Sequence, residues 1–146
     1  VAALVKSLSS YVPEEIARRM QEYQASSARR RYHITLWHSS SHAVHQLQEI
    51  SRFKGAPQAV APVLLAADDS CIALSARILP NPLSSSVPCF NQFPHVTLWC
   101  VRPDMAKHSN ELIEAVREQK SAGGALGEVE ECSPPRPFVL NLEDID

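Results

Sequence analysis

Apolar residues recur every three or four positions in three stretches of the chain, which is the spacing of a helix with one buried face. The stretches are residues 2–9, a longer one that follows Pro13 and ends near residues 26–28, and residues 107–119. Pro13 suits the first turn of a helix because proline cannot donate the backbone hydrogen bond that is unused there. The segment 38–50 is compatible with either a helix or a loop.

Alternating and β-branched apolar residues predict the strands. The predicted strands are residues 31–37, 59–66, 71–79, 93–100 and 138–142, with a hairpin turn at 67–70, a proline-rich loop at 80–94 and an extended linker at 133–137. Helices and strands do not alternate strictly, so their order predicts an α+β fold with antiparallel sheet rather than a parallel doubly wound sheet. A chain of 146 residues suits one domain with its own core.

Composition narrows the classes of partner. The net charge of -2 argues against a domain held to nucleic acid by bulk charge. A local basic cluster, Arg29, Arg30 and Arg31, could still bind one or two phosphates, or form a solvated face. No apolar run is long enough to cross a membrane. The chain begins without Met and without the layout of a signal peptide, so we expect a segment cut from a longer protein.

The four cysteines, Cys71, Cys89, Cys100 and Cys132, form no C-x-x-C pair and match no zinc-binding spacing. We expect all four to be free thiols in a reducing compartment.

A five-residue motif occurs twice, as HITLW at residues 33–37 and as HVTLW at residues 95–99. Side chains two positions apart share one face of a strand. Each copy therefore offers an imidazole and a hydroxyl on one face and buried aliphatic side chains on the other. A single His-x-Thr in a strand is commonplace, but polar faces are costly to bury unless they are used or paired. The second copy therefore favours a functional role.

Two such strands side by side would place His33 and His95 across a cleft. A neutral histidine can take a proton from attacking water while a protonated one delivers a proton to a leaving oxygen, which suits the hydrolysis of a phosphodiester. Thr35 and Thr97 could donate hydrogen bonds to the non-bridging phosphate oxygens. The sequence therefore predicts two catalytic histidines and two phosphate-binding threonines, and no metal or other cofactor.

The paired motifs resemble those of the 2H phosphoesterase superfamily, and their flanks resemble the cyclic phosphodiesterase domain of plant-type tRNA ligases. The flanking residues that carry this resemblance are His38, Ser41 and His42 after the first motif, Phe93 and Pro94 before the second, and Ala106, Lys107 and Asn110 after it. The resemblance runs from about residue 31 to residue 110.

The resemblance implies a two-lobed α+β fold in which antiparallel sheets flank a central cleft and each lobe contributes one motif. It implies hydrolysis of a 2',3'-cyclic phosphate at an RNA 3' end, leaving a 2'-phosphate and a 3'-hydroxyl, in tRNA splicing and ligation. The implied partners are RNA 3' ends such as tRNA exon halves, and kinase and ligase domains of the same longer chain. Residues 1–146 are expected to form a single such domain, located in the nucleus or cytoplasm or both.

Five residues beside the motifs are candidates for contact with the substrate: Ser41, His42, Trp37, Trp99 and Phe93. The tryptophans are expected on the same strand face as the histidines, where their rings would stack on a base or wall the cleft.

Two further groups have an alternative interpretation. His38, His42 and His45 share the i, i+4, i+7 spacing of a helix face, which would suit zinc, although no carboxylate or cysteine accompanies them. Lys107 and Arg102 follow the second motif and could attract phosphate or be ordinary surface charges.

Two other functions stay open from the sequence. One is another 2H activity, such as trimming of RNA 3' ends or hydrolysis of a small cyclic nucleotide. The other is a non-catalytic module that binds RNA ends, which the intact histidines disfavour because binding needs no acid–base pair. The near symmetry of the motifs leaves the base and the acid unassigned. Analogy with related members favours His95 as the base and His33 as the acid.

Overall fold

The computed structural model describes residues 1–26, 32–83, 85–121 and 136–145. The elements in these ranges are α1 (Ala2–Leu8), α2 (Glu14–Ser26), α3 (Val44–Ser51), β1 (Val60–Ala67), β2 (Cys71–Ile78), β3 (His95–Cys100), a 3₁₀ turn (Pro103–Met105), α4 (His108–Ser121) and β4 (Phe138–Asn141). The predicted α+β class is confirmed, and the ambiguous segment before residue 51 contains a turn followed by a helix. The cluster of Arg29, Arg30 and Arg31, the linker up to residue 135, and Cys132 lie outside the described residues.

The four strands form one antiparallel sheet in the order β3-β2-β1-β4. The predicted hairpin between β1 and β2 is confirmed, and Asp68 closes its turn. The carboxylate of Asp68 accepts hydrogen bonds from the backbone N–H groups of Ser70 and Cys71, both at 2.8 Å. A short acidic side chain suits this position because it can pair with the backbone two residues further along.

Helices cover both faces of the sheet, so β1 and β2 are buried on both sides. One face, with Leu65, Ile72 and Leu74, packs against α1 and α2 and forms the helix-pair core. The other face, with Leu64 and Ala73, packs against α4 and forms the α4 core. Alternate residues of one strand enter different cores, as the two-residue period of a strand requires.

The first motif is not a regular strand, so the predicted strand 31–37 is wrong in extent. Only Ile34 makes a bridge, antiparallel, to Val96 of β3. Two residues later the chain turns to another partner, because the carbonyl of Leu36 accepts a hydrogen bond from the N–H of Phe90 at 2.9 Å. The described residues contain a single sheet, and the two-lobed arrangement stays a prediction.

The cysteines within the described residues are free thiols, as predicted for Cys71, Cys89 and Cys100. Cys71 and Cys100 face each other across β2 and β3, with their sulfur atoms 3.5 Å apart. A hydrogen bond with Cys100, together with burial, raises the pKa of the Cys71 thiol. Cys71 is therefore held in its protonated, unreactive form. No helix among the described residues has the length and apolar character needed to cross a membrane.

The start of α4 is fixed to the β1–β2 turn by His108. Its Nε2 lies 2.8 Å from a carboxylate oxygen of Asp68, and its Nδ1 lies 3.0 Å from Glu111. The hydrogen bond with Asp68 raises the pKa of His108. Burial raises the pKa of Asp68, but hydrogen bonds from His108, Cys71 and Ser70 outweigh it, so the pKa of this carboxyl is lowered overall.

We expect His108→Gln to lower the free energy of unfolding by about 1 kcal/mol near pH 5.5 and by less near pH 8.5. The raised pKa means that the folded protein binds this proton more tightly than the unfolded chain. The stabilisation is therefore present below the ordinary histidine pKa of 6.5 and is lost as the pH rises through the folded pKa. Asp68 stays ionised throughout this range.

Denaturant unfolding at the two pH values measures the effect. The exposed His45 provides the matched control, and His45→Gln is expected to leave the free energy of unfolding unchanged at both pH values. If His108→Gln lowered the free energy of unfolding equally at both pH values, the ion pair with Asp68 would not be the source of the stabilisation.

Candidate functional site

The two motifs lie side by side because Ile34 pairs with Val96. Val96 is buried in the helix-pair core, and Ile34 packs against the same core. Side chains alternate along extended backbone, so the residues on either side of Ile34 and of Val96 point away from that core. In an antiparallel pair, the residue before one partner lies beside the residue after the other.

This register places His33 beside Thr97 and Thr35 beside His95. All four side chains line one cavity of about 980 Å³, which we call the His-Thr cavity. One cavity therefore contains two imidazoles and two hydroxyls in a crosswise arrangement, in which the histidine of each motif lies beside the threonine of the other.

Other parts of the chain complete the wall of the His-Thr cavity. They contribute Tyr23 from α2, Tyr32 before the first motif, His38, Ser40, Ser41 and His42 after it, Asn91 and Gln92 from the loop before β3, and Ala106, Lys107, Asn110 and Glu111 around the start of α4. The sequence-predicted Ser41 and His42 therefore reach the same cavity as the motifs.

His95 is held in one tautomer. Its Nδ1 lies 2.8 Å from the backbone carbonyl of Phe93, which can only accept, so Nδ1 carries the proton. In the neutral ring, Nε2 is then the acceptor. Burial lowers the pKa of His95, the bond to Phe93 raises it, and the nearby charge of His33 lowers it, with a net decrease. His95 is therefore neutral at neutral pH.

Thr97 is supported from behind by α4. Its hydroxyl donates a hydrogen bond of 3.0 Å to the hydroxyl of Ser109, a residue with no exposed surface. Sequence reasoning missed Ser109, because one serine in the first turn of a helix has no periodic or motif signal. Its partner is visible only once α4 is packed on the sheet.

Two polar atoms of residues that line the His-Thr cavity have no hydrogen-bond partner within the described part of the chain. They are the hydroxyl of Tyr32 and the side-chain oxygen of Asn110, and both atoms are buried. An unpaired buried polar atom costs about 1–3 kcal/mol.

Trp99 does not share a face with His95 and Thr97, so that prediction is wrong. Ile72 pairs with Trp99 and the next residue of β2 pairs with Thr97, which leaves Leu98 as an extra residue in β3. This β-bulge turns Trp99 toward the helix-pair core. There the guanidinium of Arg19 stacks over its ring, 4.7 Å from the centroid.

The other two aromatic candidates also lie elsewhere. Trp37 does not line the His-Thr cavity, and its indole N–H donates to the carbonyl of Ala43 at 2.8 Å. Phe93 lines a different cavity, which adjoins the first at Gln92.

The three histidines with helical spacing do not form one group. Nδ1 of His42 accepts from the backbone N–H of His38 at 2.9 Å, and Nδ1 of His38 lies 2.7 Å from the hydroxyl of Ser40. His45 does not line the His-Thr cavity. Across the described ranges, no three His, Cys, Asp or Glu side chains are grouped so that they could hold a metal ion. Arg102 pairs with Asp104 at 3.3 Å, whereas Lys107 reaches the cavity.

Comparison with known proteins shows which family this chain belongs to. The chain matches the family described as the fungal tRNA ligase phosphodiesterase domain, over residues 57–135. The matched stretch contains β1, β2, the second motif and α4, whereas the first motif precedes it. No curated protein and no solved structure gave a significant match. The family match extends over more than half of the chain and confirms the resemblance to tRNA ligase cyclic phosphodiesterases: the chain belongs to the fungal tRNA ligase phosphodiesterase domain family.

Proposed function

We propose that this chain is a 2',3'-cyclic phosphodiesterase that opens the cyclic phosphate at an RNA 3' end during tRNA splicing and ligation. The products are a 2'-phosphate and a free 3'-hydroxyl. The observation that carries the proposal is the crosswise arrangement of two His-Thr pairs around one cavity, in a chain of this family.

His95 is the general base. Its Nδ1 proton is committed to the carbonyl of Phe93, and its lowered pKa keeps Nε2 unprotonated at neutral pH. Nε2 can therefore take a proton from a water molecule as the water oxygen bonds to phosphorus. The carbonyl of Phe93 also stabilises the imidazolium that forms.

His33 is the general acid. In-line displacement places the entering and leaving oxygens on opposite sides of phosphorus, so acid and base must face each other across the phosphate. The P–O3' bond breaks as His33 gives its proton to O3'. The proton taken by His95 returns to solvent, and His33 takes one up, before the next turnover.

The two threonines hold the phosphate between the histidines. The hydroxyl of Thr35 can donate to a non-bridging oxygen, where negative charge increases in the transition state. The hydroxyl of Thr97 donates to Ser109 in this structure and would turn its proton to the phosphate when the substrate is bound. Ser109 fixes the position of the Thr97 side chain from the buried side. Lys107 adds a positive charge at the cavity wall.

The nucleoside that bears the phosphate binds at the wall formed by Tyr32 and Asn110. Both side chains line the cavity that holds the two histidines, and an aromatic ring and an amide suit contact with a ribose or a base. Ser41 and His42 would contact the substrate from the opposite rim. We also propose the two-lobed arrangement, in which each lobe contributes one motif to the cleft. Kinase and ligase domains of a longer chain would carry out the neighbouring steps.

We expect His33→Ala and His95→Ala each to reduce turnover of an RNA ending in a 2',3'-cyclic phosphate by at least ~10²-fold. Both side chains line a cavity rather than fill a core, so the variants should fold. The assay is run in EDTA, where full wild-type activity is expected because the proposed acid and base need no Lewis acid. The product should carry a 2'-phosphate.

The exposed His45 again provides the control, and His45→Ala should retain activity. Near-normal turnover by either cavity variant would overturn the two-histidine mechanism. Loss of activity on chelation, with recovery on adding zinc, would point to a metal mechanism. A 3'-phosphate product would overturn the regiochemistry, and turnover restricted to small cyclic nucleotides would favour a different 2H activity.

We also expect the imidazole of His95 to titrate below the ordinary value of 6.5. In His33→Gln its pKa should rise, because removing a nearby positive charge makes protonation of His95 easier. The value should stay below 6.5, since burial, the larger cause, is unchanged. Titration followed by NMR of the imidazole protons measures both values. A His95 pKa that is the same in both proteins would show that the two rings are too far apart to act on one phosphate.

A further inference from the structure

A second cavity has Gln92, Phe93 and Pro94, from the loop that precedes β3, in its wall. It has a volume of about 610 Å³, and we call it the arginine cavity after Arg77 and Arg117, which line it. Phe93 forms part of its wall, directly before the Pro94-His95 pair. No motif residue lies in this cavity, and the hydrolysis described above does not use it.

The two cavities are neighbours. Gln92 lines both of them, so they adjoin at the loop that precedes β3. An extended chain that ends in the His-Thr cavity could pass over Gln92 and enter the arginine cavity.

The charges of the arginine cavity suit one phosphate. It holds two guanidinium groups and one carboxylate, from Glu143. Arg77 contacts Glu143 at 3.7 Å, longer than a normal hydrogen bond, and its side chain is 63% exposed. An exposed pair of this length contributes little, so a phosphate could take over Arg77 at small cost.

The wall beside these charges is aromatic. Phe93 packs on the α4 core with part of its surface accessible, and it lies in the same cavity as Arg77 and Arg117. Proteins that bind single-stranded RNA combine cationic groups for the backbone with aromatic rings for the bases. The arginine cavity contains both components, and it shares Gln92 with the His-Thr cavity.

We propose that the arginine cavity binds the RNA chain directly 5' of the nucleotide that bears the cyclic phosphate. Arg77 and Arg117 hold the backbone phosphate, and Phe93 contacts the adjoining base. This inference rests on the proposed function and deepens it, because it makes the preferred substrate an RNA strand rather than a cyclic mononucleotide.

The test compares a short RNA ending in a 2',3'-cyclic phosphate with the corresponding cyclic mononucleotide. In Arg77→Ala and Arg117→Ala, the ratio of the KM for the RNA to the KM for the mononucleotide should rise by ~3- to 10-fold, with kcat for the RNA unchanged. Each variant should also reduce the slope of log KM for the RNA against log salt by about 0.7, the loss of one phosphate contact on a single strand.

Two further variants sharpen the test. Glu143→Gln removes the carboxylate that competes for Arg77, so it should lower the KM for the RNA. Arg102→Ala removes an arginine that lines neither cavity, so it should leave the KM for both substrates unchanged. A general effect of surface charge would also raise the KM for the RNA in Arg102→Ala, so an unchanged KM in that variant separates a local phosphate site from such an effect.

Binding of a fluorescent RNA that carries a 2'-phosphate at its 3' end gives a readout that does not need turnover. Weaker binding in Arg77→Ala and Arg117→Ala and tighter binding in Glu143→Gln support the inference even if the wild-type protein hydrolyses neither substrate, in which case the proposed function alone fails. Unchanged RNA affinity in the arginine variants would overturn the inference. An equal rise in KM for RNA and mononucleotide would also overturn it.

Discussion

The site depends on one contact between distant parts of the chain, the antiparallel bridge between Ile34 and Val96. Both side chains enter the helix-pair core, and their burial sets which way the neighbouring residues point. With that face fixed by hydrophobic packing, the polar residues on either side of each aliphatic residue must share the opposite face. The burial of apolar side chains therefore holds the site together, although the side chains that line the site are polar. A shift of one residue in this register would bury the histidines and expose the aliphatic side chains.

The surroundings break the near symmetry of the two motifs. His95 belongs to a regular strand and is partly buried, and burial lowers its pKa by more than the bond to the carbonyl of Phe93 raises it. His33 lies in a segment with a single bridge and is exposed. Two nearly identical pentapeptides can therefore supply the two different functions that hydrolysis requires. General acid–base catalysis uses such differences, because one group must be charged while the other is neutral.

The period-2 pattern and the repeated motif were enough to predict the antiparallel strands, the β1–β2 hairpin, and the meeting of His33, Thr35, His95 and Thr97 at one cavity. These features follow from local alternation and from which side chains must be buried. The sequence could not show the β-bulge at Leu98, because an extra residue in a ladder depends on the register of the partner strand.

Features that depend on how α4 and the loops pack were also out of reach. The contact between Ser109 and Thr97 joins a helix to a strand, and the arginine cavity combines side chains from β2, α4, the loop before β3 and the segment after β4. No periodicity in the sequence marks such groupings. The strand predicted at the first motif is longer than the observed pairing. The composition of the motif favours a strand, but the backbone carbonyl of Leu36 bonds to the N–H of Phe90 instead of to β3.

The dependence of kcat/KM on pH, measured for the wild type, His95→Ala and His33→Ala, tests the central claim most directly. That claim is that two histidines in opposite protonation states act on one phosphate in the His-Thr cavity. The account predicts a bell-shaped profile whose acid limb lies below the ordinary histidine pKa of 6.5, because the base, His95, must be neutral and its pKa is lowered. The acid limb should disappear in His95→Ala, and the alkaline limb should disappear in His33→Ala. A flat wild-type profile from about pH 5 to 9, with the chemical step limiting the rate, would contradict the account.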